Sequence, residues 1–211
     1  MITVGIVDLS TVDENVFRTL LPLASPERRE RATRYLREED ARRCIIADGL
    51  LRYALKQAFQ TDRVPLATTP SGKPFVPNCN DFHFNLSHSG RWVVIAWGQA
   101  PVGIDVETIK MDDSKLRLAQ RFFHPEENAY LLDASAQEQA NRFFEIWTKK
   151  ESYLKYLGTG IDRALSSFSV LHPKDTAFFT QVLEDAVLTL CAQEPECELI
   201  SVSCGMLLGN E

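Results

Sequence analysis

The feature that most constrains this chain is an order of elements that occurs twice. After an opening strand at Ile2 to Asp8, Ser25-Pro26-Glu27 reads as a helix start: a capping serine, a proline at the first position and an acid in the first turn. A longer helix is expected from about Glu39 to Phe59. Three strands follow at close spacing, Phe82 to Ser87, Trp92 to Gly98 and Val102 to Glu107. The turns between them, Ser89-Gly90 and Gln99-Ala100-Pro101, predict an antiparallel meander. The order then recurs. A helix from about Asp112 to Leu132 precedes one from about Gln137 to Leu157 that is capped by Gly158. Strand-like runs come next at Ser167 to Leu171, Phe178 to Leu183, Ala186 to Cys191 and Leu199 to Cys204. A short echo supports the repeat: Ala32-Thr33-Arg34-Tyr35-Leu36 followed by Glu38-Glu39-Asp40, against Ala119-Gln120-Arg121-Phe122-Phe123 followed by Glu126-Glu127. The expected fold is therefore α/β in the α+β sense. Two pseudo-equivalent halves, residues 1–101 and 102–211, would each pack helices on a small antiparallel sheet, with the site in the cleft between them.

A chain of 211 residues, 45% apolar and 25% charged, can bury a full core. Its net charge of −6 argues against nucleic acid as a partner. Five cysteines without a C-x-x-C pair fit neither a disulfide framework nor a zinc site, and point to a reducing cytoplasm. Met1 to Ser10 lacks the basic and long apolar regions of a signal peptide. The apolar run Trp92 to Trp97 is too short to span a bilayer, so no membrane role is expected.

Chemistry concentrates in two stretches. In Gly103-Ile104-Asp105-Val106-Glu107, Asp105 and Glu107 leave the same face of a strand, roughly 7 Å apart along it. Such pairs ordinarily lie on a solvated edge. They also suit Mg²⁺, which takes a few carboxylate oxygens together with water and substrate phosphates. Trp147-Thr148-Lys149-Lys150-Glu151 would add Glu151 as a third carboxylate. Between Phe143 and Leu157 the apolar residues form one helical arc, and Lys150 projects into its middle. A buried ammonium needs an anion. Glu151 and Lys155 flank the arc four residues apart. In the first half, Arg28, Arg31 and Arg43 belong to helices crowded with arginine, whose planar donors suit a phosphate monoester. His88 sits at a strand end facing a loop. Together these residues indicate an Mg²⁺-dependent enzyme acting on a diphosphate.

Five motifs carry a resemblance: Gly72-Lys73-Pro74, Phe84-Asn85-Leu86-Ser87-His88-Ser89, Gly103-Ile104-Asp105-Val106-Glu107, Arg121-Phe122-Phe123 and Trp147-Thr148-Lys149-Lys150-Glu151-Ser152. In this order and spacing the chain resembles the 4′-phosphopantetheinyl transferases of the surfactin-synthetase-activating (Sfp) type, from Ser25 to about Ala192. The resemblance implies two pseudo-twofold-related halves in a monomer, with coenzyme A in the cleft. It implies that Asp105, Glu107 and Glu151 hold Mg²⁺ against the diphosphate. Lys155 and His88 would contact the phosphates, Arg28, Arg31 and Arg43 would surround the 3′-phosphate, and Lys73 and Ser87 would border the adenosine.

The implied reaction moves the phosphopantetheine arm of coenzyme A to a serine of an acyl or peptidyl carrier protein and releases 3′,5′-ADP. Glu151 and Glu127 are both candidates for the general base, and Lys150 and Lys155 complete the expected catalytic set. Met111, Leu116 and Phe122 are candidates for the carrier's docking surface. Two other classes compete: an Mg²⁺-dependent phosphohydrolase of a coenzyme A-like diphosphate, and a non-catalytic module that binds carrier proteins or coenzyme A.

Overall fold

The computed structural model describes residues 1–159 and 164–210. In chain order it contains β1 (Ile2–Asp8), α1 (Glu14–Leu20), α2 (Pro26–Thr33), α3 (Glu38–Phe59), β2 (Ala67–Thr68), β3 (Pro74–Phe75), β4 (His83–Ser89), β5 (Trp92–Gly98), β6 (Gly103–Thr108), α4 (Asp113–Phe122), α5 (Pro125–Leu132), α6 (Ala136–Leu157), β7 (Ala177–Val182), β8 (Ala186–Ala192), β9 (Cys197–Ser201) and α7 (Cys204–Leu208). The mixture of helices with small, largely antiparallel sheets agrees with the expected fold class. No described helix is long and apolar enough to cross a membrane.

The two long helices, α3 and α6, are each 22 residues and occupy equivalent places in the order. Each lies on its own sheet. Strands β4-β5-β1-β9 form the first sheet and β6-β8-β7 the second, while β2 and β3 make a small ribbon. Alternation along the strands explains how they stack. Phe84, Val93, Ile95 and Trp97 face α3 and meet Ile46, Leu50 and Ala54. The opposite face of the first sheet, with Ile2, Val4, Val94 and Ala96, packs on Ile104, Val106, Leu188 and Leu190 of the second. Beyond it, Phe143 and Ile146 of α6 pack with Val187, Phe123 and Leu131. The layers therefore run helix, sheet, sheet, helix. Each buried aliphatic side chain contributes about 1.5–3 kcal/mol.

The caps act as the sequence indicated. The Ser25 hydroxyl accepts from the Arg28 amide at 3.3 Å, and Gly158 closes α6 in the left-handed region at φ 69°. Gly103 is required for a different reason. A Cβ there would lie 2.0 Å from the Ser152 carbonyl oxygen and 2.3 Å from the Tyr156 nitrogen, so α6 rests directly on the β6 backbone.

Five expectations differ from the structure. The meander stops after β4 and β5, because β1 occupies the other edge of β5 and β6 pairs with β8 instead. The helix expected from Asp112 to Leu132 breaks at Phe123 and His124: Pro125 has no amide to donate and holds His124 extended, at φ −62° and ψ 150°. Ser167 to Leu171 is not a strand, since side chains of α5 and α6 take its backbone groups. The chain's end also leaves the second half: β9 pairs parallel to β1, and Leu207 of α7 joins the core under α3. The strand expected over Leu199 to Cys204 begins earlier, at Cys197, and yields to α7.

Candidate active site

β4 and β6 meet where the two sheets join. On β4, Phe84 and Leu86 face the α3 core, so Asn85, Ser87 and Ser89 face β6. On β6, Ile104 and Val106 enter the core between the sheets, which turns Asp105 and Glu107 toward α6. Because α6 lies so close at Gly103, its residues Glu151 and Lys155 reach the same place.

Asp105 is the centre of this group, at 4% exposure. Its Oδ1 accepts from Lys155 Nζ at 2.7 Å and from the Ser87 hydroxyl at 2.8 Å. Lys155 Nζ donates further to Ser87 Oγ at 3.0 Å and the Ile104 carbonyl at 3.1 Å. Among the described residues, Asp105 Oδ2 is buried without a hydrogen-bond partner. Glu107 accepts from the Ser89 hydroxyl at 2.7 Å. Burial first, and the Asp105 charge second, push the Glu107 carboxyl above its usual range. Glu151 is raised by burial, then by Asp105, with a further push from Glu107. The three carboxylates thus repel one another and share Lys155 as a counter-charge. Among the described residues, no three His, Cys, Asp or Glu side chains form a ready metal-ligand set. The donors nevertheless fit a hard cation: three oxygen-bearing anions, two with raised proton affinity and one with a buried orphan oxygen.

The other expected residues are distributed around this centre. His88 follows Ser87 and faces the opposite side of β4, at the surface; partial desolvation and then the Arg43 guanidinium hold its imidazole below the usual value. Arg43 donates to the Gly90 carbonyl at 2.6 Å and pairs with Asp40. Arg31 donates to the Tyr35 hydroxyl at 3.1 Å, and Arg28 lies 3.9 Å from Asp48. Arg28 also lines a cavity of about 780 Å³ with Ser25, Asp48, Arg52, Arg63 and Pro74; no carboxylate of the central group lines it. Lys73 turns inward, donating to the carbonyls of Val102 and Lys155, and burial lowers its pKa. Its stem, with Phe75 and Phe84, lines a cavity of about 280 Å³ that the second half closes with Tyr156, Leu157 and Gly158.

Glu127 and Lys150 require a correction. Both are fully buried and form an ion pair at 2.8 Å. Glu127 Oε1 accepts from the Val170 amide at 2.8 Å and Oε2 from the His124 amide at 2.7 Å. Lys150 Nζ donates to the carbonyls of Leu165 and Phe168, each at 2.7 Å, with the Phe168 ring centroid 4.2 Å away. Neither group is exposed to solvent in this structure. The anion that Lys150 needed is Glu127, and the pair fastens residues 165–170 to α5 and α6. The sequence reasoning also missed Asn85 and Ser89; their alternation with Ser87 along one strand was the available signal.

Comparison with known proteins bears on both halves of the chain. Residues 101–197 match the 4′-phosphopantetheinyl transferase superfamily, and residues 11–99 match the family described as 4′-phosphopantetheinyl transferase, N-terminal. The chain is 41% identical over 148 residues to the 4′-phosphopantetheinyl transferase Sfp of Bacillus subtilis (strain 168), covering 69% of this chain and 65% of that protein. It is 42% identical over 158 residues to the 4′-phosphopantetheinyl transferase psf-1 of Bacillus pumilus, covering 74% and 67%. With the 4′-phosphopantetheinyl transferase gsp of Aneurinibacillus migulanus the identity is 38% over 159 residues, covering 74% and 65%. The chain spans about two thirds of the length of these relatives. With matches across both halves and the carboxylate group between them, the chain belongs to the 4′-phosphopantetheinyl transferase superfamily.

Proposed function

We propose that this chain transfers the 4′-phosphopantetheine arm of coenzyme A to a serine of an acyl or peptidyl carrier protein and releases 3′,5′-ADP. The observation that carries the reading is the grouping of Asp105, Glu107 and Glu151 around Lys155 and Ser87. Asp105, Glu107 and Glu151 would hold Mg²⁺, which when bound neutralises charge on the diphosphate. In the transfer, the serine oxygen bonds to the phosphorus that bears pantetheine, and the bond from that phosphorus to the bridging oxygen breaks. The bridging oxygen leaves with 3′,5′-ADP. The Lys155 ammonium, beside the carboxylates, neutralises charge on the leaving side.

Glu151 accepts the serine proton. Its place beside Asp105 and Glu107 puts a carboxylate at the diphosphate, and the burial of Glu127 supports the assignment. His88 and Arg43, within each other's field, bind the 3′-phosphate side of coenzyme A together with Arg28 and Arg31. The Lys73 stem borders the adenosine through the cavity it lines, whereas Ser87, expected there too, is bonded to Asp105 and Lys155 and so is assigned to the diphosphate side instead. The carrier docks along α4 and the residues leading into it, where Met111, Leu116 and Phe122 are half-buried and Lys110, Arg117 and Arg121 are exposed. Two similar halves in one chain support a monomer, and five free cysteines support a cytoplasmic setting. Release of 3′,5′-ADP is the test: it should require both Mg²⁺ and a carrier protein. Equal release from coenzyme A without a carrier would make the chain a hydrolase.

A further inference from the structure

Asn85, Ser87 and Ser89 each set a side-chain oxygen against a backbone amide of β6. Asn85 Oδ1 accepts from Ile104 at 2.9 Å, Ser87 Oγ from Val106 at 3.4 Å and Ser89 Oγ from Thr108 at 3.1 Å. The partners are 19 residues apart at every rung, so the strands run side by side in one direction. Side chains of β4 stand where the carbonyls of a neighbouring strand would be. Register along a strand decides which face each side chain takes. Ile104 and Val106, both fully buried, fix which face of β6 is apolar, and the rungs fix how far β6 can slide.

Two rungs have a second partner. A serine hydroxyl has one donor hydrogen and two acceptor positions. Ser87 and Ser89 each accept from the amide and donate onward, Ser87 to Asp105 and Ser89 to Glu107 Oε2. The hydrogen's direction is therefore set by the rung itself. Gly90, next in the chain at φ 54°, packs against Thr108, which holds the strand end in place.

We infer that Ser89 is a positioning residue for Glu107. Its hydroxyl ties Oε2 and holds the Glu107 carboxylate in place, while the same Ser89 Oγ accepts from the Thr108 amide and registers one half of the chain against the other. The inference rests on the proposed role of Glu107 in holding Mg²⁺. Outer-shell partners of metal ligands typically alter metal affinity by about 10–100-fold when removed, and the rung predicts a loss in that range.

The test titrates Mg²⁺ calorimetrically into protein saturated with coenzyme A, and separately titrates coenzyme A without Mg²⁺. Ser89→Ala should weaken Mg²⁺ binding by about 10–100-fold and leave metal-free coenzyme A binding unchanged. Ser89→Thr, which keeps the hydroxyl, should restore most of the loss. Ser89→Ala should add nothing in a Glu107→Gln background, because the two residues act as a unit. If Ser89→Ala does not fold, Ser89→Cys keeps only a weaker donor and acceptor and should bind Mg²⁺ measurably but more weakly than the parent. Unchanged Mg²⁺ affinity in the variant used, or equal weakening of both ligands, overturns the inference. A Glu107→Gln protein that binds Mg²⁺ like the parent overturns the metal reading itself, and the role of Ser89 with it.

Discussion

Replacing Lys150 with Met separates a structural from a catalytic reading of the buried pair. The substitution keeps the length of the side chain and removes the ammonium. Glu127 would remain fully buried, still bound to the Val170 and His124 amides but without its counter-charge. The Leu165 and Phe168 carbonyls would lose the donor they share. Breaking a buried pair by removing one partner costs about 3–5 kcal/mol. The orphaned carbonyls act in the same direction. A loss of about 3–5 kcal/mol is a large share of a domain's ~5–15 kcal/mol. Urea unfolding at neutral pH measures it as a lower midpoint at unchanged slope. Glu127→Leu combined with Lys150→Met should recover much of the loss, because apolar residues can replace an ion pair of similar volume. Recovery should be incomplete, since the carbonyls stay unpaired. A Lys150→Met protein as stable as the parent yet unable to transfer would refute this reasoning and return Lys150 to the chemistry.

Gly103→Ala should push α6 off β6, because the new methyl would fall 2.0 Å from the Ser152 oxygen; melting temperature and Mg²⁺ affinity should drop together. Arg43→Ala should weaken coenzyme A by about ten- to a hundredfold and 3′-dephospho-coenzyme A far less; equal losses in calorimetry would make Arg43 only a clamp on the Gly90 turn. Glu107 and Glu151 have raised pKa values when folded, so their contribution to metal-free stability is present below the unfolded value of 4.5 and is lost as pH rises through the folded one. Mg²⁺ needs the ionised forms, so the rise in melting temperature on adding Mg²⁺ with coenzyme A should be smaller in mildly acidic buffer than at neutral pH; a pH-independent rise would exclude these carboxylates as ligands.

Local signals in the sequence were sufficient for α2, α3, α6 and β5. Ser25-Pro26 and Gly158 mark helix ends through backbone chemistry that acts within one turn. Pro125 carried such a signal too, but the apolar period runs past it and favoured one long helix. The partner of β5 could not be read locally, because β1 lies some ninety positions away and competes with β6 for one edge. The carboxylates of β6 were legible from their two-residue spacing, and Lys150 from the cost of burying a charge. Its partner was not: Glu127 stands in the first turn of a helix, where acids are common, and only the fold brings it against Lys150. The arginines were legible as a group but not one by one. Arg43 takes Asp40 and the Gly90 carbonyl, and Arg28 takes Asp48, through contacts that composition does not encode.

The central claim is that the carboxylate group around Lys155 serves transfer of a phosphopantetheine arm. Intact-mass measurement of an apo carrier protein after incubation with this chain, coenzyme A and Mg²⁺ tests it most directly. The account predicts a mass increase equal to one phosphopantetheine arm, located on a serine, and its loss in Asp105→Ala protein that still folds. An unmodified carrier in the presence of folded parent protein, or full modification by Asp105→Ala, would contradict it.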